Sequence, residues 1–252
     1  MQGHRVPLLL AAAIVALVAG ATALAAKPND APVVIEAGNL KVTVDGGFVP
    51  RALPRSTPAP ISLFLSGKVE TTDGTHPSAL KTVELESDKH VAIDVRGLPV
   101  CEPSGLQPAG SEQFVPECRD SRVGRGQAQV EINFVEQLIP VKSELVVFNG
   151  GFEDGVTTLL VHAFIPIPTP TAIVTTVKIK KIHKGRFGLH AVATVPKIAG
   201  GSGSITSFSL KINPRVFTAT CPDGHLNARG TAVFSDEARV QARIGRPCRP
   251  KG

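Results

Sequence analysis

The 252-residue chain contains no tryptophan, no tyrosine and a single methionine. Trp and Tyr give flat faces with a polar handle, the surfaces on which extracellular proteins stack sugar rings. Carbohydrate recognition by aromatic platforms is therefore disfavoured, and the 11 Phe fall mostly in alternating runs that turn them inward. Catalytic signatures are missing too: no H-E-x-x-H, phosphate-binding loop or dinucleotide fingerprint occurs. Gly200-Gly201-Ser202-Gly203-Ser204 lacks the second glycine placement of a G-x-S-x-G elbow, has no helix pattern after it, and reads as a hairpin loop. These absences disfavour an enzyme, assign no catalytic residue and imply no cofactor. A secreted hydrolase with a site dispersed over loops remains the alternative.

What the chain does have begins with its first 26 residues. His4 and Arg5 lead into the apolar run Leu8 to Val18, and Ala23-Leu24-Ala25 follows. Weak positive charge, a short apolar core and small residues at −3 and −1 form a secretory signal peptide, with the mature chain expected to begin at Ala26 or Lys27. The rival reading is an uncleaved anchor, since Val6 to Ala26 carries no charge and about 20 apolar residues span a bilayer. Its alanine-rich second half weakens that reading. A membrane association is expected only if the leader is retained; otherwise the protein works outside the cytoplasm, secreted or associated with the cell envelope.

Removing Arg5 leaves 26 basic against 21 acidic residues, a formal +5. This mild excess favours acidic surfaces or polymers but is far from the dense Lys/Arg content of a nucleic-acid binder. Four cysteines in an exported chain, Cys101, Cys118, Cys221 and Cys248, read as two disulfides. Three pairings are possible. The sequential one, Cys101 to Cys118 and Cys221 to Cys248, is preferred because each bond closes a local loop. A zinc site is disfavoured, because no C-x-x-C spacing occurs.

Hydrophobic alternation dominates the rest. Ala128, Val130, Ile132 and Phe134 interleave with Gln127, Gln129, Glu131 and Asn133, one face for a core and one for water. Similar runs occur at 61–69, 82–85, 91–95, 144–148, 156–165, 173–179, 187–195, 205–212, 216–220, 226–234 and 238–244. Asp45-Gly46, Asp73-Gly74, Asn149-Gly150, Asp154-Gly155 and Asp223-Gly224 supply the positive φ of tight reversals between them. A dozen short strands so punctuated predict an all-β fold, an antiparallel β-sandwich. One brief helical turn is expected near Ser111 to Asp120, limited by Pro116.

The domain reading is a signal peptide at 1–26, N-terminal strands with a Pro-rich link at 27–60, and a β-sandwich at 61–252. Pro50 to Pro60 is the link, and Ile165 to Pro170 is a second extended piece at which strands cross between sheets. Two β subdomains divided near 165–171 are the alternative.

Gly97-Leu98-Pro99-Val100-Cys101, continued to Cys118 and Val123-Gly124-Arg125-Gly126-Gln127-Ala128, resembles a pattern in exported β-rich proteins of GC-rich actinobacteria. The stretch from Asn213 to Pro222, followed by Ala232-Val233-Phe234-Ser235-Asp236 and Pro247-Cys248, does so too. The resemblance covers about a third of the mature chain. It implies export and paired cysteines and carries over no active site.

Candidate sites are few. His162 and His190 sit in apolar strand runs and are expected to be hydrogen-bonded rather than metal-bound, because no third ligand is indicated. His90, Asp94 and Arg96 share a strand face, but four residue steps span about 13 Å. Glu84, Glu86 and Asp88 alternate on one face and are read as charges protecting a sheet edge. The strongest electrostatic feature is the hairpin carrying Lys178, Lys180, Lys181, His183, Lys184 and Arg186. Lys178 and Lys180 face out while Ile173, Thr175, Val177 and Ile179 face in. Of that hairpin, Lys178, Lys180, Lys181, Lys184 and Arg186 form the candidate anion-binding set, with an acidic cell-envelope polymer as partner. No nucleic acid is expected, since no aromatics are interleaved to stack bases.

Overall fold

A computed structural model describes residues 30–106, 116–135, 137–167 and 169–251. The predicted leader therefore lies outside the described residues, which are mostly antiparallel strand. The strands are β1 (Val33–Ala37), β2 (Leu40–Val49), β3 (Ala52–Pro54), β4 (Ala59–Thr71), β5 (Leu80–Asp88), β6 (Val91–Ile93), β7 (Arg122–Phe134) and β8 (Gln137–Glu153). They continue as β9 (Val156–Ile165), β10 (Thr171–Lys184), β11 (Phe187–Thr194), β12 (Gly203–Ala219), β13 (His225–Phe234), β14 (Arg239–Pro247) and β15 (Arg249–Lys251).

Thirteen strands form one sheet in the order β1-β2-β4-β12-β7-β8-β9-β10-β11-β5-β13-β14, with β6 paired to the end of β12. The exception to antiparallel pairing is the small β3–β15 sheet, which is parallel. The two layers expected of a sandwich are thus halves of one sheet that curls into a near-barrel. Its free ends approach each other where Arg246 of β14 donates to the carbonyl of Gly46 in β2 at 2.6 Å and pairs with Asp45.

Alternation places the core. Along β8, Leu145, Val147 and Asn149 face the interior, where Val147 packs with Phe48, Ile61, Val123, Leu159, Ile179, Leu189 and Phe217. Two further interior clusters flank this one, around Val130 and Ile173 and around Leu40, Val42 and Phe234. Val146 and Phe148, on the opposite face of β8, are covered from outside by Leu106 and the Cys101–Cys118 disulfide. Complete burial of a residue such as Phe148 stabilises by about 1.5–3 kcal/mol. Close packing also explains Gly67: a Cβ there would stand 2.5 Å from the Phe208 ring.

Both disulfides have the sequential pairing, Cys101–Cys118 and Cys221–Cys248. Asp73-Gly74, Asp154-Gly155 and Asp223-Gly224 do turn the chain, with glycine φ of 74°, 78° and 79°. The other two dipeptides do not. Asp45-Gly46 lies inside β2, whose ten-residue ladder with β4 is unbroken. Asn149-Gly150 lies inside β8 at a bulge, where the Asn149 amide donates to the carbonyls of Leu98 and Pro99. In both places a long-range ladder overrides local turn chemistry.

The runs at 205–212 and 216–220 fuse into β12 with a register shift between Ile212 and Phe217. The Pro50–Pro60 link contains β3. Residues 166–170 connect β9 and β10, which pair directly, so the chain turns back within the sheet there. Gly200–Ser204 lies between β11 and β12, which are not neighbours; the tight reversal there is closed by the antiparallel bridge between Ile198 and Gly203. The helical turn is the 3-10 segment Pro116–Ser121; Ser111 to Val115 lie outside the described residues.

Candidate anion-binding face

The outer surface of β10, β11, β5, β13 and β14 assembles most of the candidate charges. In β10, Ile173, Val177 and Ile179 pack inward, which turns Lys178 and Lys180 outward. A tight reversal at Gly185, φ 61°, returns the chain as β11. Register then aligns one row across five strands: Lys180, His190, Glu86, Arg229 and Arg243. The adjacent row is Lys178, Val192, Glu84, Thr231 and Gln241.

The hairpin cations divide into four environments. Lys178 and Lys180 are exposed, and neither has an ion-pair partner among the described residues. Lys184 stands 3.7 Å from Glu86. Arg186 is a half-buried strut: its Nε is 3.0 Å from Asp88, a residue with no exposed surface, and its Nη2 is 3.8 Å from Asp223. The backbone N–H groups of His90 and Asn227 also donate to Asp88. Lys181 pairs in register with inward-facing Leu189, so it has the opposite parity to Lys178 and Lys180 and lies off their face. It contributes, after Arg96, to holding the Asp94 carboxyl down at about 2.

The acidic residues of β5 are not edge guards. β5 runs between β11 and β13, and two of its carboxylates, Glu86 and Asp88, neutralise neighbouring cations. Glu86 pairs with Arg229 and Lys184, and the Arg229 hydrogen bond, with both cations adding Coulombic attraction, holds its carboxyl below the ordinary value. Glu84 lies 3.3 Å from His190. Reading charge runs strand by strand missed Arg229, Arg239 and Arg243. The alternation Arg239, Gln241, Arg243 around Val240 and Ile244 is the signal that marks Arg239 and Arg243 as outward-facing.

The remaining candidates do not converge. His162 is buried on β9 between Val146 and Val174, whereas His190 is on the charged outer face. His90 approaches Thr220 at 3.4 Å, while Asp94 and Arg96 pair with each other. Among the described residues no group of three or more His, Cys, Asp or Glu is placed to hold a metal. A cleft of about 500 Å³ is lined by residues including Leu80, Lys81, Val195, Lys197, Ile198 and Ile205, with no His or carboxylate in its wall.

No protein-family model and no curated protein matches the chain. Among solved structures, it has 10% identity to one described as "AvmM Catalyzes Macrocyclization in Alchivemycin A Biosynthesis", over 88% of this chain and 99% of that one, at a TM-score of 0.26. A likeness this weak carries no argument about either fold or activity.

Proposed function

We propose that the protein is an extracytoplasmic, non-catalytic β module that docks acidic polymers of the cell envelope, in a binding or structural role. The observation that carries this reading is the pair Lys178 and Lys180, exposed on one strand face without an ion-pair partner among the described residues. Uncompensated cations on a rigid sheet attract polyanions through a field screened over about 8 Å at physiological ionic strength. Two disulfides are compatible with an oxidising location outside the cytoplasm. Among the described residues no helix is long and apolar enough to cross a membrane.

The test is retention of the protein on an immobilised acidic wall polymer at rising salt. Retention at low salt that falls as salt rises, and falls further with Lys178→Gln plus Lys180→Gln at unchanged melting temperature, is expected. Equal retention of wild type and double variant would remove this reading.

A further inference from the structure

We infer that the polyanion lies across the strands, from Lys178 and Lys180 on β10 to Arg239 and Arg243 on β14, rather than along the β10–β11 hairpin. This rests on the docking reading and adds the footprint and the shape of the ligand. Five strands separate into two flanks and a centre. In the centre, Glu84 and Glu86 are already occupied by His190, Arg229 and Lys184. On the flanks, Lys178, Lys180 and Arg243 have no ion pair among the described residues, and Arg239 adds only a Coulombic influence on Glu237.

The row geometry sets a cost that an anion would relieve. Arg229 stands directly opposite Arg243. Like charges facing each other across adjacent strands destabilise a sheet. Glu86 offsets Arg229, but Arg243 is left to solvent, as is Lys180 at the other end of the row. A ligand along β10 would meet Thr176 and Val174 beyond Lys178, whereas one across the row meets cations at both ends.

Four inter-strand steps of about 4.8 Å place β10 and β14 about 19 Å apart, so the ligand must be a linear polyanion of at least that reach. Guanidinium groups at the β14 end suit two-oxygen anionic groups. Stacking of bases has no platform here, since Phe187, the aromatic ring at this face, lies beneath Arg229 at 4.4 Å.

The experiment titrates the full chain with glutamate oligomers of four and eight residues, which extend to about 14 and 28 Å, in low salt. Wild type is expected to bind the eight-residue oligomer about tenfold or more tighter than the four-residue one, because the longer ligand engages both flanks at once. Arg239→Gln plus Arg243→Gln is expected to abolish that length advantage, and Arg239→Lys plus Arg243→Lys to keep part of it, with melting temperatures not lowered. If the Gln variant binds the longer oligomer as wild type does, while Lys178→Gln plus Lys180→Gln loses it, the cross-strand footprint is wrong and docking at β10 stands. If wild type binds neither oligomer, both the footprint and the docking reading fall.

Discussion

Arg246 and Asp45, 201 residues apart in sequence, join the two free ends of the sheet: the guanidinium of one, buried on β14, meets the carboxylate of the other on β2. The same guanidinium donates to the carbonyls of Gly46 and Ala31, so a single side chain ties β14 to β2 and to the segment before β1. Below this seam, β15 pairs with β3 and the Cys221–Cys248 disulfide clamps the adjoining turns.

Breaking this seam should be costly. Arg246→Met removes the charge and every donor at once, leaving Asp45 and the Gly46 carbonyl without their partner. Loss of one member of a buried pair costs about 3–5 kcal/mol; the partial exposure of Asp45 puts the expectation at the lower end. Arg246→Lys should recover little of this, because an ammonium cannot reproduce the fork that reaches the Asp45 carboxylate and the carbonyls of Gly46 and Ala31 together. Urea midpoints of the two variants check both statements, and a wild-type midpoint for Arg246→Met would show that the seam is closed by other contacts.

Each disulfide closes a loop of moderate length, with sequence separations of 17 and 27, and each should contribute about 3 kcal/mol. Replacing Cys221 and Cys248 together by Ser is expected to lower thermal stability by at least that amount, because both sites are buried in the main core, while the strand content seen by circular dichroism persists, since the clusters around Val130 and around Leu40 and Phe234 do not include the bond. A fully unfolded double variant at room temperature would contradict this.

How far these features were legible depends on whether their cause is local. β9, Val156–Ile165, has the bounds of its apolar run, because alternation and the Asp154-Gly155 turn both act within a few residues. β12 looked like two strands because Asn213-Pro214-Arg215 interrupts the pattern, yet pairing with β4 on both sides of the shift carries it through. Asp45-Gly46 carried a turn signal but serves the seam, a role visible only once β14 is brought alongside. Arg186 read as one more surface cation for the same reason: its partner Asp88 lies 98 residues away.

Arg186 should therefore behave unlike its lysine neighbours. Arg186→Gln leaves Asp88 buried with the backbone donors of His90 and Asn227 but without a cation. An uncompensated buried carboxylate is expected to cost about 2–4 kcal/mol, whereas Lys178→Gln and Lys180→Gln, fully on the surface, should each change stability by less than about 0.5 kcal/mol. Thermal melts of the three single variants separate strut from surface; equal melting temperatures would refute the assignment.

Glu86 gives a pH signature. The hydrogen bond from Arg229 holds its carboxyl below the ordinary 4.5 in the folded protein, so as pH falls the unfolded chain takes up the proton first. Stabilisation from this group is full above the ordinary value and is lost as pH falls through the lower, folded one. Glu86→Gln should therefore be less stable than wild type near pH 7, with the difference shrinking on the acid side. A gap between the two that stays constant from pH 7 to pH 3 would show that the pair contributes nothing through its charge.

Val135 sits in the turn between β7 and β8 at φ 48°, 79% exposed. A β-branched side chain at positive φ is a steric outlier, and the left-handed conformation costs an L-residue roughly 1–2 kcal/mol. No burial offsets that cost here, because most of the side chain is in water. Glycine adopts this conformation freely but enters it from a more flexible unfolded chain, which takes back part of the gain. Val135→Gly is expected to stabilise by about 0.5–1 kcal/mol, read as a rise in the urea midpoint at unchanged slope. A fall in the midpoint would mean that Val135 makes a contact in the folded protein that outweighs the strain of its backbone.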